Sequence, residues 1–200
     1  MNATAIVDGA CWDRVRQGEA EALGELFQHH AKAIYNFCFR RTADWAAAED
    51  LTSVVFLEAW RRRDQELAAD KVLPWLFGIA NNVVRNRRRA LRRHSAALSR
   101  LDESVTAPDF ADDVVDRIDE EQRMAAVLAL VARLPRGQQE VLALCDWAGQ
   151  SYEEAAAALS IPIGTVRSRL ARARTALREL EAVAGHGPGA ERPIEEEGPK

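Results

Sequence analysis

Residues 162–174, PIGTVRSRLARAR, combine hydroxyl and guanidinium groups in a pattern that suits contact with a nucleic acid. Arginine can bond two acceptors on a guanine edge at once, and serine or threonine can reach a phosphate or a base. Five side chains in this stretch carry such groups: Thr165, Arg167, Ser168, Arg169 and Arg172. The whole chain has a formal charge of −4, so its positive charge must be concentrated locally.

The basic residues are almost all arginines, and they form two runs. Residues 85–93 hold six arginines and residues 167–178 hold five. Acidic residues are concentrated elsewhere, in 102–121 and in the C-terminal tail. The net charge therefore hides two positive patches, which is the distribution expected of a protein that binds a polyanion. The alternative is that these arginines form ordinary solvated helix faces.

Helical periodicity runs through most of the chain, with glycine and proline sparse before residue 185. The predicted helices cover residues 10–17, 20–41, 45–63 (with Asp44 as N-cap), 74–94, 114–133, 138–147, 151–159 and 163–183. The fold class is all-α, with two small helical domains at 10–95 and 114–183. A flexible acidic linker is predicted at 96–113 and a disordered tail at 184–200.

A helix-turn-helix is predicted in the second domain. Ser151 and Glu154 have the spacing of a capping box, and Pro162 ends the short helix that they begin. Apolar residues of the next helix fall within about 80° of one another on a helical wheel. They are Val166, Leu170, Ala173, Leu177 and Leu180. The hydroxyl and arginine side chains lie on or beside the opposite face, where a DNA-reading helix carries them.

The helix predicted from Pro74 carries a second candidate nucleic-acid surface. A mixed stripe lies within about 60° either side of Asn82 on the wheel. It comprises Trp75, Gly78, Asn82, Arg85, Asn86, Arg89 and Arg93. An aromatic ring for stacking, amides for base edges and arginines for phosphates are what a single-strand binder needs. The alternative places Trp75 in the core and the arginines at a solvated helix end.

The helix 45–63 is apolar on two sides. Leu51 and Val55 share one side, and Phe56 and Trp60 lie on the opposite one. Such a helix is either central in a bundle or half-covered by a partner. Periodicity favours the central position.

Several function classes lack support in the sequence. No stretch approaches the roughly 18 apolar residues of a membrane span, and the N-terminus does not look like a signal peptide. The three cysteines, Cys11, Cys38 and Cys145, form no C-x-x-C pair, so they are expected to be reduced thiols. Without a carboxylate cluster, P-loop or H-E-x-x-H motif, no catalytic residue, metal site or cofactor is predicted.

Three segments resemble bacterial sigma-70 factors of the extracytoplasmic-function (ECF) group. Residues 134–177, with S-Y-x-E-x-A and G-T-V-x-S-R-L-x-R-A-R, resemble region 4. Residues 48–63 resemble region 2.2, and residues 74–93, with I-A-x-N followed by R-R, resemble regions 2.3 and 2.4. One departure is the small-residue run 155–158, where the family usually has bulkier apolar positions.

The resemblance implies a transcription initiation factor that directs core RNA polymerase to promoters and helps to melt them. By the resemblance, Asp50, Leu51, Ser53, Val54 and Phe56 contact the β′ clamp helices, and the β flap is a second polymerase contact. Trp75, Asn82, Arg85, Asn86 and Arg89 bind the minus-ten element, and the arginines and hydroxyls of 165–172 read the minus-thirty-five element. An anti-sigma factor is a candidate partner, and the expected location is cytoplasmic, at the nucleoid, without membrane insertion.

Two other functions are compatible with part of the pattern. A stand-alone helix-turn-helix regulator would need an effector or dimerisation domain, whereas residues 10–95 carry the single-strand stripe. A nucleic-acid enzyme would need catalytic groups that no motif supplies. Transcription with purified core polymerase separates the first rival, and a nuclease or ATPase assay separates the second.

Overall fold

The protein is described from a computed structural model that covers residues 3–98 and 114–185. The regular elements of these ranges are eight α-helices, one 3₁₀ turn and one π-helical turn: α1 (Ala3–Arg16), α2 (Ala20–Thr42), α3 (Trp45–Arg61), the 3₁₀ turn Ala69–Lys71, α4 (Val72–Leu98), α5 (Val114–Val131), α6 (Arg136–Leu142), the π-helical turn Ala143–Trp147, α7 (Tyr152–Leu159) and α8 (Ile163–Gly185). The described residues contain no strand, and none of their helices is long and apolar enough to cross a bilayer.

Helices α1–α4 form a first unit around a buried apolar core. Trp12, Leu26 and Ile34 are fully buried, and Phe37 packs edge-on against Phe77 with ring centroids 5.4 Å apart. These residues come from α1, α2 and α4, so the buried face of α2 forms a core that its neighbouring helices share.

Helix α1 begins at Ala3, seven residues before the predicted start at residue 10. Between residues 6 and 10 this helix buries no apolar face, and Ile6 and Val7 are exposed. The sequence therefore has no apolar period there that would predict the helix. Asp8 holds this part of the helix instead, since its buried carboxylate lies 2.8 Å from Nε2 of His30 on α2. A buried polar pair formed across 22 residues of sequence leaves no periodic signal.

Helix α3 packs against α2 and α4 in the first unit. Leu51, Val55 and Phe56 are all buried although they lie on different sides of the helix, and Trp60 is half-buried. The chain itself therefore covers the two apolar sides at Leu51 and at Phe56, but Val54 and Leu57 are exposed, so α3 is not enclosed as the central position that periodicity favoured would require.

Asp44 caps α3 as predicted. Its carboxylate accepts a hydrogen bond from the backbone N–H of Ala47 at 2.8 Å, and it also lies 3.1 Å from Nη2 of Arg87 on α4. The cap therefore stabilises the start of α3 and links it to α4.

Replacing Asp44 with alanine should lower the free energy of unfolding by about 1–2 kcal/mol, because a capping acceptor is lost at a partly buried helix start. Urea denaturation followed by circular dichroism measures the change. Asp64→Ala, an exposed position just after α3, is the matched control. Equal destabilisation by the two substitutions would contradict the capping role.

Helices α5–α8 form a second unit, which contains the predicted helix-turn-helix. The Ser151 side chain accepts from the backbone of Glu154, and the Glu154 side chain accepts from the backbone of Ser151, so the capping box is confirmed. Ser160 then takes a left-handed conformation with φ 53°, and Pro162 precedes α8. On α8 the residues Val166 and Leu170 are buried against the rest of this unit, as the wheel predicts.

Several helix boundaries in the second unit differ from the prediction, including the ends of α5 at Val131 and of α8 at Gly185. Helix α6 begins at Arg136 instead of residue 138, because Pro135 has an extended backbone that suits the position before a helix. The last part of the predicted helix 138–147 is a π-helical turn, Ala143–Trp147, which follows α6 directly.

The first and second units contact each other extensively. Helix α4 packs against α7, and α2 packs against α5 and the π-helical turn, so buried apolar residues of both units form one continuous cluster. Helix α4 also extends to Leu98, through residues 96–98 of the predicted linker. The remainder of that linker, residues 99–113, and the tail from residue 186 lie outside the described residues.

Candidate nucleic-acid interface

The outer face of α8 presents the polar side chains singled out in the sequence. Arg167, Ser168 and Arg172 are exposed, and Thr165 is half-buried. The buried stripe of α8 holds the opposite face against α6 and α7. Two guanidinium groups and a hydroxyl therefore project from the first three turns of a helix that follows a tight turn, which is the geometry of a helix that reads a DNA groove.

Arg169 differs from the other arginines of this face. Its guanidinium packs against Gly137 of α6, where an added Cβ would lie 2.8 Å from Nη1 and 2.9 Å from Cζ. The side chain is half-buried, so it fixes α8 against α6. Arg167, by contrast, is exposed, and its guanidinium lies 5.8 Å from the ring centroid of Tyr152 on α7.

An ion pair that the sequence did not single out anchors the middle of α8. Arg174 forms a two-pronged salt bridge with Asp146 in the π-helical turn, with Nε 3.1 Å from Oδ2 and Nη2 on Oδ1. The fork geometry of the pair favours one orientation of α8 relative to that turn. Arg174 and Asp146 are 28 positions apart in the sequence, so no local pattern predicts this pair.

Alanine at Arg167 or at Arg172 should weaken promoter binding while leaving the free energy of unfolding within about 0.5 kcal/mol of the parent. An arginine that reads a guanine edge should cost about 1–3 kcal/mol and relax preference at one base pair. One that contacts phosphate should weaken all sequences alike and reduce the salt slope by about one unit.

Binding of the polymerase complex to wild-type and altered upstream elements, across a salt series, measures both effects. Arg178→Ala, an exposed arginine two turns further along α8, is the matched control. Arg169→Ala should instead lower stability, because it removes the contact with α6. Parent-like binding by the Arg167 and Arg172 variants would mean that this face is only solvated surface.

The stripe on α4 has a fixed aromatic end. Trp75 donates its Nε1–H to Oε1 of Gln65 at 2.9 Å, and its ring meets Trp12 edge-on at 4.8 Å. Trp12 in turn donates to the backbone oxygen of Gln65 at 3.0 Å. Gln65, which the sequence did not indicate, therefore orients the ring that was expected to stack on a base.

The rest of the stripe ranges from half-buried to exposed along α4. Asn82 and Arg85 are half-buried, whereas Asn86, Arg89 and Arg93 are exposed. The end near Trp75 lines a cavity of about 470 Å³, and the opposite wall of that cavity belongs to α7.

Two arginines of the 85–93 run serve the protein's own structure. Arg87 pairs with Asp44, as described above. Arg88 donates to the backbone oxygen of Arg41 at 2.7 Å and to Oε1 of Gln139 at 3.3 Å. Burial, and then the neighbouring charge of Arg92, lowers the pKa of Arg88. Only part of this arginine run is therefore available to a nucleic acid.

The face of α3 expected to contact polymerase is divided between core and surface. Leu51 and Phe56 are buried in the first unit, with Phe56 packed edge-on against Phe27 at 4.8 Å. The two-sided apolar pattern could not show which residues the chain itself covers. The exposed positions on this face share one arc of about 100° on the wheel, and they are Asp50, Ser53, Val54 and Leu57.

Leu57 was missed in the sequence, although it is the most exposed large apolar side chain of the described residues, at 56%. Val54 beside it is 40% exposed, and Phe27 on α2 is 41% exposed. Exposed apolar side chains next to an acidic and a hydroxyl residue have the character of a protein-docking surface.

Family models match both units. A model described as "Sigma-70 region 2" matches residues 26–94, and one described as "Sigma-70, region 4" matches residues 124–177. The first match contains α3 and the stripe of α4, and the second contains the helix-turn-helix.

Whole-chain comparisons agree with these matches. RNA polymerase sigma factor HrpL of Pseudomonas syringae pv. syringae is 35% identical, over 82% of this chain and 89% of its own length. The ECF RNA polymerase sigma factor SigL of Mycobacterium tuberculosis is 32% identical, over 80% of this chain and 89% of its own length. A solved structure of sigma factor RpoE with the anti-sigma factor NepR, from Bartonella quintana, superposes with a TM-score of 0.60 at 27% identity, covering 80% of this chain and 96% of that one.

Both units thus match the two conserved regions of one family, in the same order and along nearly the full length of the relatives. These proteins are initiation factors and not enzymes, which agrees with the absence of a catalytic motif in the sequence. The chain belongs to the sigma-70 family of bacterial RNA polymerase sigma factors, in the extracytoplasmic-function group, and it binds core RNA polymerase and directs it to promoters where transcription begins.

Proposed function

We propose that three surfaces of this chain divide the work of initiation. The exposed arc of α3 docks on the β′ clamp helices, the stripe of α4 captures the melted minus-ten element, and the outer face of α8 reads the minus-thirty-five element. The observation that carries this proposal is the separation of two nucleic-acid faces onto two units, one with aromatic and amide groups and one with arginines beside a tight turn.

The chemistry of the two nucleic-acid faces suits two states of DNA. Trp75 supplies a ring for an unstacked base, and Asn82 supplies an amide that can bond a base edge, which are features of single-strand binding. Arg167 and Arg172 project from a helix of about the width that the major groove of a duplex admits. A factor built in this way binds one duplex element and one opened element of the same promoter.

The polymerase contacts follow from the exposed residues of each unit. Val54 and Leu57 supply apolar area on α3, and Asp50 and Ser53 supply polar groups at its edge. Membership of the family supports the β flap as the second contact, made by the α5–α8 unit. The buried Leu51 and Phe56 support this surface from beneath.

An anti-sigma factor is a further candidate partner. The solved sigma factor that superposes on this chain was determined in complex with an anti-sigma factor, and its likeness covers both units. Because a sigma factor acts at promoters, the expected location of the protein is the cytoplasm, at the nucleoid. Co-purification of the tagged chain from its own cells, in the presence and absence of stress, tests both points.

Transcription of sheared genomic DNA by core polymerase, with and without the protein, tests the proposed function. Sequencing the transcripts should reveal a small set of start sites that appear only when the protein is present. Those sites should share two sequence elements at a constant spacing. Transcripts that do not change on addition of the protein would contradict the proposal.

A further inference from the structure

A groove of about 650 Å³ is lined mainly by arginines. One wall belongs to α2 and α4, and the other belongs to α6 and to the segment 132–135 that precedes it. Five guanidinium groups line this groove, which is called the arginine groove below: Arg41, Arg85, Arg88, Arg92 and Arg136. Glu140 is the one carboxylate among the described lining residues. The volume lies in the range of about 300–1,000 Å³ that is usual for small-molecule sites.

The arginines are arranged from the floor of the groove to its rim. Arg41 on α2 is only 3% exposed, Arg85 and Arg88 are half-buried, and Arg92 and Arg136 are exposed. The three residues on α4 fall within about 60° on the helical wheel and extend over about 10 Å of the helix axis. The groove therefore presents a column of positive charge on α4, with Arg136 on the opposite wall.

None of these five arginines forms a salt bridge with another residue in the described ranges. The partners of the two innermost side chains are uncharged. Arg41 donates to the backbone oxygen of Gln139 at 3.1 Å, and Arg88 donates to the backbone oxygen of Arg41 and to Oε1 of Gln139. The positive charge of the groove is therefore not neutralised by close contacts within the described chain.

Arg41 has the features of an anion-binding group. Burial, and then the charge of Arg88, lowers its pKa to about 10, so the side chain is still charged at neutral pH. Its Nε is buried without a hydrogen-bond partner among the described residues, and so is the Nε of Arg85. A buried charge without a counter-ion and a buried N–H without an acceptor both cost stability. An anionic oxygen in the groove would satisfy both.

The type and spread of the groups indicate the chemistry of the anion. The planar guanidinium fork matches the oxygens of a phosphate and can bond two of them at once. A column of about 10 Å along α4 is longer than a single phosphate group, so linked phosphates match it better than one phosphate does.

The position of Arg41 favours a small molecule over a nucleic acid. A polymer that follows the outer surface of α4 meets the exposed Asn86, Arg89 and Arg93, which do not line the arginine groove. It would have to leave that surface to reach Arg41, which is almost fully buried between α2 and α6. The phosphate end of a small molecule can enter from the rim.

We propose that the arginine groove is a binding site for a small anion that carries two or more linked phosphate groups. Arg41 and Arg88 bind the phosphate at the floor of the groove, and Arg92 and Arg136 bind the one at its rim. The proposed macromolecular partners occupy other surfaces, except that Arg85 also belongs to the stripe of α4. Anion binding needs neither polymerase nor promoter, so it can fail or succeed independently of the proposed function.

Titration calorimetry of the full chain with inorganic tripolyphosphate, at constant ionic strength and without divalent cations, tests the proposal. One site per chain is expected, with an affinity about tenfold or more above that of orthophosphate or sulfate, because the longer anion bonds more of the arginines. Equal affinities for tripolyphosphate and orthophosphate would overturn the proposal.

Substitutions at the rim show whether the bound anion lies in the groove. Arg92→Ala and Arg136→Ala should each weaken tripolyphosphate binding about tenfold, the loss expected for a hydrogen bond between charged groups. Both side chains are exposed, so folding should be preserved. Arg133→Ala is the matched control, since Arg133 is exposed and does not line the groove. Parent-like affinity of both rim variants, or an equal loss in the control, would contradict the assignment.

Nitrogen-15 NMR of the arginine Nε–H groups tests the floor of the groove. Arg41→Lys assigns the Arg41 signal, which should shift as tripolyphosphate saturates the parent protein. An unshifted signal at saturation would contradict the proposal, and the rim variants decide the matter if Arg41→Lys does not fold. A short oligothymidylate without terminal phosphates is the comparison ligand. If it shifted the Arg41 signal and lost affinity in Arg136→Ala, the groove would be a nucleic-acid site and the proposal would be wrong.

Discussion

The Leu57→Asp variant should bind core polymerase at least 30-fold more weakly than the parent. Leu57 is the exposed apolar centre of the α3 arc, and a charge there would have to be desolvated in any protein interface. Truncation or reversal of a central interface residue costs about 2 kcal/mol or more, which corresponds to that ratio. Folding should change little, because more than half of the side chain is already in solvent.

Affinity for core polymerase, measured by competition with a labelled parent protein, checks this result. Ile6→Asp is the matched control, since Ile6 is an aliphatic residue of the same unit with 53% exposure. If the two variants bound equally well, the polymerase contact would not include the α3 arc. If both lost binding and both unfolded at lower urea, the loss would reflect stability.

The second large effect is expected at Asn82. Its replacement by alanine should lower open-complex formation about tenfold or more, since a base-edge bond contributes about 1–3 kcal/mol of discrimination. Binding to the closed promoter should change less, because the α8 face still reads the duplex. A pre-melted promoter should not restore the loss if Asn82 bonds a base.

Permanganate reactivity of thymines near the start site follows opening directly. Asn36→Ala, an exposed asparagine on α2, is the control and should open promoters like the parent. Full recovery of Asn82→Ala on the pre-melted template would assign the residue to melting or to structure instead of base recognition.

Local patterns were sufficient to predict the helices that carry the nucleic-acid faces. The capping box at Ser151 and the four-and-three spacing from Val166 are encoded within a few turns, and both are present in the structure. The N-cap at Asp44 is equally local. Such features depend on the hydrogen bonds and periodicity of a single helix, so they can be found without tertiary information.

Features formed between distant segments were not predictable in this way. Arg169 packs on Gly137, and Arg174 pairs with Asp146. Each contact joins residues that are far apart in the sequence, so no local pattern predicts it. The exposure of Leu57 depends on which side of α3 its neighbours cover, and a helix apolar on two sides does not reveal this. The central position of Leu57 in the exposed arc of α3 is therefore apparent only from the structure.

The contact between α4 and α7 is the least predictable feature. Gly78 belongs to the stripe that the sequence predicts to bind DNA, whereas the structure places Ala158 against it. One small residue permits both approaches, so the sequence alone cannot distinguish them. The half-burial of Asn82 and Arg85 has the same origin, because their surroundings are set by another unit of the chain.

Site-specific photocrosslinking within the open complex tests the division of labour between the two units most directly. A benzophenone side chain placed at the exposed Ser168 or at the exposed Asn86 reports which DNA each face touches. The expected result is crosslinking from position 168 to duplex DNA at the minus-thirty-five element, and from position 86 to one strand of the opened minus-ten element. Crosslinks from both positions to the same element, or from position 86 to duplex DNA alone, would contradict the assignment of the two faces.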